Sequence, residues 1–252
     1  MISVLLVCCF LLREERMAAG AVESLDFEKI NNGRTRFRGV EGALTMNDAI
    51  AIRGVAESIC APAGGAMRYA EIGSYLGLSA TIVADACPGA IVFAHDVFPM
   101  AAAELPADSH PPPGAEKLLV RFWEGVRRNG LEGRVVPMRG RSEDTLQVHE
   151  AGSLDMAFID GDHSHGGTLL DLRAVWERLR PGGLLLVHDA VVLEDGATDH
   201  PVRQAVKAFA AEQSARFFDV EYTWGLVAIP KDGGEGAGVA VQQRGSADVA
   251  FH

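Results

Sequence analysis

Residues 158–165 read FIDGDHSH, so two apolar residues run directly into two aspartates and two histidines. Carboxylates and imidazoles at this density can move a proton near neutral pH or hold a divalent cation. The same residue types also form turns and cap helices. A second juncture of this kind lies at 184–190, LLLVHDA, where an apolar run ends in His188 and Asp189. The stretch 70–79, AEIGSYLGLS, differs in kind. It sets Gly73 and Gly77 between two apolar segments. Glycine lets the backbone approach a ligand closely, and the N–H groups that open a helix face a polar or anionic group. The spacing is Glu-x-Gly-x-x-x-Gly, which lacks the glycine pattern of a pyrophosphate-binding loop.

Each of these stretches closes a predicted strand. Segments 67–73, 90–96, 134–140, 153–160 and 184–189 are nearly continuous apolar runs. Segments 79–87, 115–129, 167–180 and 201–213 read as helices. In 167–180, Leu169, Leu172, Trp176 and Leu179 recur at intervals of three and four. The PGG at 181–183 is expected to stop that helix. RFFDVEYT (216–223) and WGLVAIP (224–230) lie close together and predict an antiparallel strand pair. Apolar strands alternating with helices imply a parallel sheet covered on both faces. Ligands of such sheets sit beyond the carboxyl ends of the strands. Those ends are Gly73, Asp96, Gly140, Asp160 and His188-Asp189. Asp96, closing the second strand, is placed to accept hydrogen bonds from two ribose hydroxyls. With the glycine loop it describes an adenosine-type cofactor without a pyrophosphate.

The EIGSYLGLS stretch resembles the first motif of class I S-adenosylmethionine-dependent methyltransferases. More narrowly, it is similar to that of the catechol and caffeoyl-CoA O-methyltransferases. DVFP (96–99) resembles their acidic segment, and GRSED (140–144) their loop after the third strand. FIDGDHSH and LLLVHDA resemble strand ends of a branch that includes macrolide-sugar O-methyltransferases. The resemblance covers about residues 40–230. It implies an α/β, Rossmann-like three-layer sandwich with a seven-stranded, mostly parallel sheet and an antiparallel last strand. It also implies that Glu71, Gly73, Ser74, Tyr75, Gly77 and Ser79 line the cofactor, that Asp96 holds the ribose and that Ser142 meets the adenine. GVEGALT (39–45) would pass over the cofactor.

Methyl transfer to a hydroxyl needs the acceptor aligned and its proton removed, by a general base or with help from a cation. The resemblance implies Asp160, His188 and Asp189 as metal ligands and His163 as the base, with Asp160 catalytic in either role. His188 departs from the pattern, where relatives carry an acid. A neutral nitrogen weakens the case for Mg²⁺ and leaves Mn²⁺, Fe²⁺, Zn²⁺ or no metal open. The blander readings are that Asp160 caps a helix or meets the cofactor's amine, Asp162 points to solvent or caps the next helix, His165 starts that helix and His95 is packed. The leading expectation is an O-methyltransferase acting on a small molecule such as a sugar, phenol or natural product. Its rivals are a metal-independent N- or C-methyltransferase, a nicotinamide-dependent oxidoreductase and a non-catalytic cofactor-binding protein.

The bulk numbers bound the partners. The 252 residues suffice for one α/β domain. With 23 Lys+Arg against 34 Asp+Glu the net charge is −11, which repels nucleic acid. Arg34, Arg36 and Arg38 make only a small local cluster. The apolar run at 2–12 is shorter than the about 20 residues of a membrane-spanning helix. Residues 1–16 read as a non-functional extension before Met17, residues 17–230 as the methyltransferase domain and residues 231–252 as a disordered tail. No CxxC occurs among Cys8, Cys9, Cys60 and Cys87, and a reducing cytoplasm is the expected setting. The segment 100–114, with His110, is a candidate lid, and 191–203, with Glu194 and Asp195, could face the acceptor. A homo-oligomer is left open, and a membrane partner is not expected.

Overall fold

The computed structural model describes residues 26–30, 33–99, 117–193 and 198–232. The extension, the candidate lid, Glu194, Asp195 and nearly all of the tail lie outside them.

Three short strands come first: β1 (Phe27–Lys29), β2 (Thr35–Phe37) and β3 (Val40–Gly42), paired antiparallel. No pattern in the sequence predicted this small sheet. Helix α1 (Met46–Cys60) comes next, opened by a capping box. Thr45 accepts from the Asp48 backbone N–H, and the Asp48 carboxylate accepts from the Thr45 N–H at 2.9 Å. The alternation then begins: β4 (Ala66–Ile72), α2 (Leu78–Ala86), β5 (Gly89–Asp96), α3 (Leu118–Arg128), β6 (Val135–Arg139), the short α4 (Ser142–Thr145) and β7 (Leu154–Ile159). It ends with α5 (His165–Arg178), β8 (Leu179–Val187), α6 (Pro201–Gln213), β9 (Phe218–Asp219) and β10 (Val227–Pro230).

The main sheet has seven strands in the order β6-β5-β4-β7-β8-β10-β9. The first five are parallel. β10 runs antiparallel to β8 and to β9, as the strand pair predicted. The continuous apolar character of the strands has a direct cause. Along β4, Met67 and Tyr69 join one core while Ala70 and Ile72 join the other. The same split divides Met156 and Phe158 from Ala157 and Ile159 on β7. Both faces are covered, so neither alternate set is free to be polar. Phe122 from α3 fills one core and Phe209 from α6 the other, both fully buried. Each contributes about 1.5–3 kcal/mol by burial.

Two expectations need correction. The helix expected at 167–180 ends at Arg178, and β8 already starts at Leu179, so the PGG lies inside a strand. Leu179 pairs with Leu154, and a register shift between Leu154 and Met156 takes up the extra residues. The cysteines are not all free: Cys60 and Cys87 form a disulfide. Packing of α1 against α2 brings the two Cα atoms to 5.7 Å. That pairing removes the cysteine argument for a reducing setting. Among the described residues no helix is long and apolar enough to cross a membrane.

Strand register sets the rim. The Gly73 N–H donates to His95 O at 2.9 Å, Asp160 N–H to Ile72 O at 2.9 Å and His188 N–H to Ile159 O at 2.9 Å. Gly140 N–H donates to Asp96 O at 3.0 Å. Four parallel ladders therefore finish level, and their polar terminal residues face one edge.

Candidate functional site

The sheet order turns outward in opposite directions on either side of the β4–β7 pair, and a crevice opens there. It is a cavity of about 430 Å³, whose wall includes Gly73, Tyr75, Asp96, Ser142, Asp160 and Asp171. At Gly73 φ is +87°, and an added Cβ would lie 2.0 Å from the Asp160 carbonyl oxygen. Only glycine fits between β4 and β7 there. Tyr75 also has positive φ, 48°, which turns its N–H onto Asp96 Oδ2 at 2.8 Å. The Phe98 N–H takes Asp96 Oδ1 at 2.8 Å. Burial pushes the Asp96 carboxyl up, and these two donors oppose it.

Glu71, Ser74 and Ser79 lie one layer beneath, all buried, and none of them is part of the cavity wall. Tyr69 donates to Glu71 Oε2 at 3.0 Å, while Oε1 has no partner. Burial raises the Glu71 carboxyl to about 7, against the lowering influence of Ser79, Ser74 and Tyr69. Gly77 opens α2 at φ +84° and packs under Phe122, whose ring would stand 2.9 Å from a Cβ. Its requirement is close packing, away from the cavity wall. Ser142 donates to Asp171 Oδ1 at 2.5 Å.

The second half of the site is a charged cluster. Asp160 closes β7, His163 lies three residues on, and His188 and Asp189 close β8. His163 Nε2 is 3.6 Å from Asp160 Oδ1 and 3.3 Å from Asp189 Oδ2. His188 Nδ1 is 3.4 Å from both of those oxygens. Neither ring nitrogen of buried His188 makes a directed hydrogen bond. Its Nε2 faces Asp48 Oδ2 at 3.3 Å. Asp48 is fully buried and also accepts from the Trp224 N–H at 2.7 Å. The sequence reading missed Asp48, which lies over a hundred residues away on α1. The only available signal was an acid at the third position of an apolar helix, and that also reads as a plain cap.

The electrostatics follow from this crowding. Burial pulls the His188 imidazole down, but Asp160, Asp189 and Asp48 overcome it and push it up to about 12. Hydrogen bonding to Asp160 raises His163, with burial opposing. Burial raises the Asp160 carboxyl, yet His163 and His188 hold it below the usual carboxylate range. Asp48 is likewise held low, by His188 and Thr45 against its burial. Asp189 adopts φ +58°, a strained backbone for a non-glycine residue.

Asp160, His163 and Asp189 each offer one donor atom, all within 4.8 Å of one another. Ligands bound at about 2.1 Å to one tetrahedral ion stand about 3.4 Å apart. The carboxylate–imidazole spacings here, 3.3 to 3.6 Å, fit such an ion. His188 Nδ1 has the same spacing from the two oxygens, and its other nitrogen rests on a carboxylate, as supported metal-binding histidines do.

The blander readings are settled one by one. Asp162 accepts from the Ser164 N–H at 2.8 Å and fixes the loop, while Ser164 caps α5 and His165 begins it. His95 is packed: its ring meets Thr145 Oγ1 at 2.9 Å and His149 Nε2 at 2.9 Å. Burial lowers it to about 3, so it stays neutral.

Comparisons agree with this fold. A family described as a methyltransferase domain matches residues 70–190, from β4 through the end of β8. An O-methyltransferase from Bacillus cereus, solved with S-adenosylhomocysteine, superposes with a TM-score of 0.55 at 16% identity, covering 86% of this chain and 90% of that one. The O-methyltransferase TomG from Streptomyces achromogenes, involved in tomaymycin synthesis and solved with S-adenosylmethionine, gives 0.56 at 16% identity, covering 76% and 82%. No curated protein matches the chain. The matched stretch contains the glycine loop, the acid closing β5 and both halves of the charged cluster, and the fold is shared with solved methyltransferases: residues 70–190 form a methyltransferase domain, on the fold of the class I S-adenosylmethionine-dependent methyltransferases.

Proposed function

We propose that the protein transfers the methyl group of S-adenosylmethionine to a hydroxyl of a small molecule. One observation carries this reading. Asp160 belongs both to the cavity wall and to the charged cluster, so a cofactor in the cavity would present its methyl beside groups able to handle an acceptor proton. The cavity suits the cofactor chemically. Asp96 supplies acceptors for two ribose hydroxyls. Glu71 keeps an unpartnered buried oxygen below the glycine loop, where the cofactor's ammonium group would be attracted. Tyr75, turned by its positive φ, lies at the same end. Gly73 shapes this end of the cavity, Ser74 and Ser79 lie buried beneath it, and Gly77 holds the loop down by packing.

Methyl transfer is an in-line displacement in which the cofactor carries the hard chemistry. The chain has to place an oxygen behind the methyl and accept its proton. His163 is half exposed, at 51%, and its Nε2 points at the cluster. It is the group assigned to take the hydroxyl proton. Asp160 and Asp189 hold its ring and stabilise the imidazolium that results. Asp160, Asp189 and His188 Nδ1 are the groups assigned to a divalent cation, which would leave His163 free. A bound cation would supply Lewis-acid stabilisation of the acceptor oxyanion. Nitrogen in the donor set favours Mn²⁺, Fe²⁺ or Zn²⁺ over Mg²⁺.

A metal-independent second reading has its own support. His188, pushed up to about 12, already places a positive charge among three carboxylates. Incubation of a metabolite extract with methyl-labelled cofactor, with and without EDTA, separates the two. Products seen by mass spectrometry only without chelator support the metal. Products unchanged by EDTA support the imidazolium. No labelled O-methyl product in either arm rejects the proposal.

A further inference from the structure

Two buried histidines beside the cavity take no part in the chemistry assigned above. His95 is on β5, directly before Asp96, and belongs to the cavity wall. His149 follows the short turn Leu146–Val148. The two are 1% and 4% exposed, and their Nε2 atoms are 2.9 Å apart. The other ring nitrogen of His95 is 2.9 Å from Thr145 Oγ1. Both rings are neutral. Burial, with help from His149, lowers His95 to about 3. Burial lowers His149 to about 4, aided by the Arg68 and Arg178 guanidiniums.

The hydrogens in this chain of contacts run in one direction. The Arg141 carbonyl can only accept, so it takes the Thr145 hydroxyl hydrogen at 3.1 Å. Thr145 Oγ1 must then accept from His95 Nδ1–H. A neutral imidazole carries one N–H, so His95 Nε2 is bare and accepts from His149 Nε2–H. That uses the single hydrogen of His149, and its Nδ1 is left buried with no partner. A buried nitrogen without a partner costs stability that an apolar side chain at 149 would not. The relay joins two parts of the cavity wall. One is Asp96 and Val97 at the end of β5, and the other is Gly140 to Glu143. Helix α4, on that second side, is a single turn with no buried residue, too short to hold its own place. Ser142 ties its start to Asp171, and Thr145 ties its end to His95.

We infer that Thr145, His95 and His149 are positioning residues for cofactor binding, whose one-way relay clamps the 140–145 segment to the end of β5 and so sets the width of the cavity. This deepens the cofactor assignment above and rests on it. His149 acts through His95, and His95 through Thr145. The unpartnered Nδ1 is the cost of carrying the relay into the core.

The test reads the hydrogens and the affinity separately. In side-chain nitrogen NMR of the ligand-free protein at neutral pH, His95 is expected as the Nδ1–H tautomer and His149 as the Nε2–H tautomer. The reverse tautomers, or a charged ring, overturn the relay. Calorimetric binding of S-adenosylhomocysteine then measures its effect. Thr145→Val keeps the methyl beside Gly140 and removes the hydroxyl, and affinity is expected to fall about tenfold. Thr145→Ser, which keeps the hydroxyl, should stay within about threefold of wild type. His149→Leu should weaken binding about tenfold, while His149→Gln, whose amide N–H can replace Nε2–H, should stay within about threefold. Urea unfolding of the same variants separates placement from stability. Affinities that follow the unfolding midpoint instead of the retained hydrogen bond would show a purely structural role and overturn the proposal. Wild-type affinity in Thr145→Val overturns it as well. No binding by the wild type would instead remove the cofactor assignment on which the proposal rests.

Discussion

His163 and Asp48 act at the scale of single atoms. Each sits against Asp160 or His188, but they differ in what they touch. His163 is half exposed at the edge of the cluster, with Nε2 toward Asp160 and Asp189, so its removal should hit the proton transfer. His163→Ala is expected to lower kcat/KM by about 10²–10⁴ while calorimetric affinity for S-adenosylhomocysteine stays unchanged. Turnover equal to wild type would remove the assignment as base. Asp48 is not part of the wall of the cofactor cavity. It faces His188 Nε2 and thereby leaves Nδ1 turned to Asp160 and Asp189. Asp48→Asn keeps the shape and removes the charge. Mn²⁺ affinity by calorimetry is expected to fall about 10–100-fold. Unchanged affinity would mean that His188 is not a ligand, or that its orientation is fixed otherwise. The histidines and aspartates at strand ends were legible because the apolar run before each is long and uninterrupted. Asp48 and Asp171 were not legible, because each lies inside a helix where an acid is common.

At the scale of elements, the decisive feature is how closely β4 and β7 approach at their ends. The Gly73 backbone passes the Asp160 carbonyl with no room for a side chain. Its positive φ adds strain for any other residue. Gly73→Ala is expected to cost at least about 2 kcal/mol in urea unfolding, because a backbone–backbone approach has no flexible partner to yield. A cost near zero would show that the loop can rearrange. Element order and type were readable from apolar runs and helical spacing. The start of β8 was not. Proline and glycine at 181–183 look like a stop, and only the pairing of Leu179 with Leu154 reveals that the strand begins ahead of them. The first three-stranded sheet escaped notice for a related reason: its strands are three residues each, too short for a period to show.

For the whole molecule, the cluster ties stability to pH. His188 is surrounded by Asp48, Asp160 and Asp189, with His163 opposing, and its folded-state pKa is raised from an ordinary 6.5 to about 12. A raised imidazole contributes stability that is complete below about 6.5 and fades as pH climbs toward the folded value. Thermal unfolding in EDTA should therefore show wild-type stability declining from about pH 6.5 upward, with a shallower decline in His188→Gln. Glu71, raised to about 7, also loses stability with rising pH, but equally in both proteins. Parallel curves would show that the carboxylates do not hold a proton on His188. The sequence by itself determined the kind of fold and the residues at its strand ends. Both depend on local order: which residues are apolar, in what period, and which polar residues come directly after them along the chain. The tertiary structure alone decided which buried acids from distant helices stand behind those ends, that Cys60 meets Cys87, and which motif residues line the cavity or lie beneath it. Those are contacts between segments far apart in the chain, and no local pattern encodes a distance across a folded core.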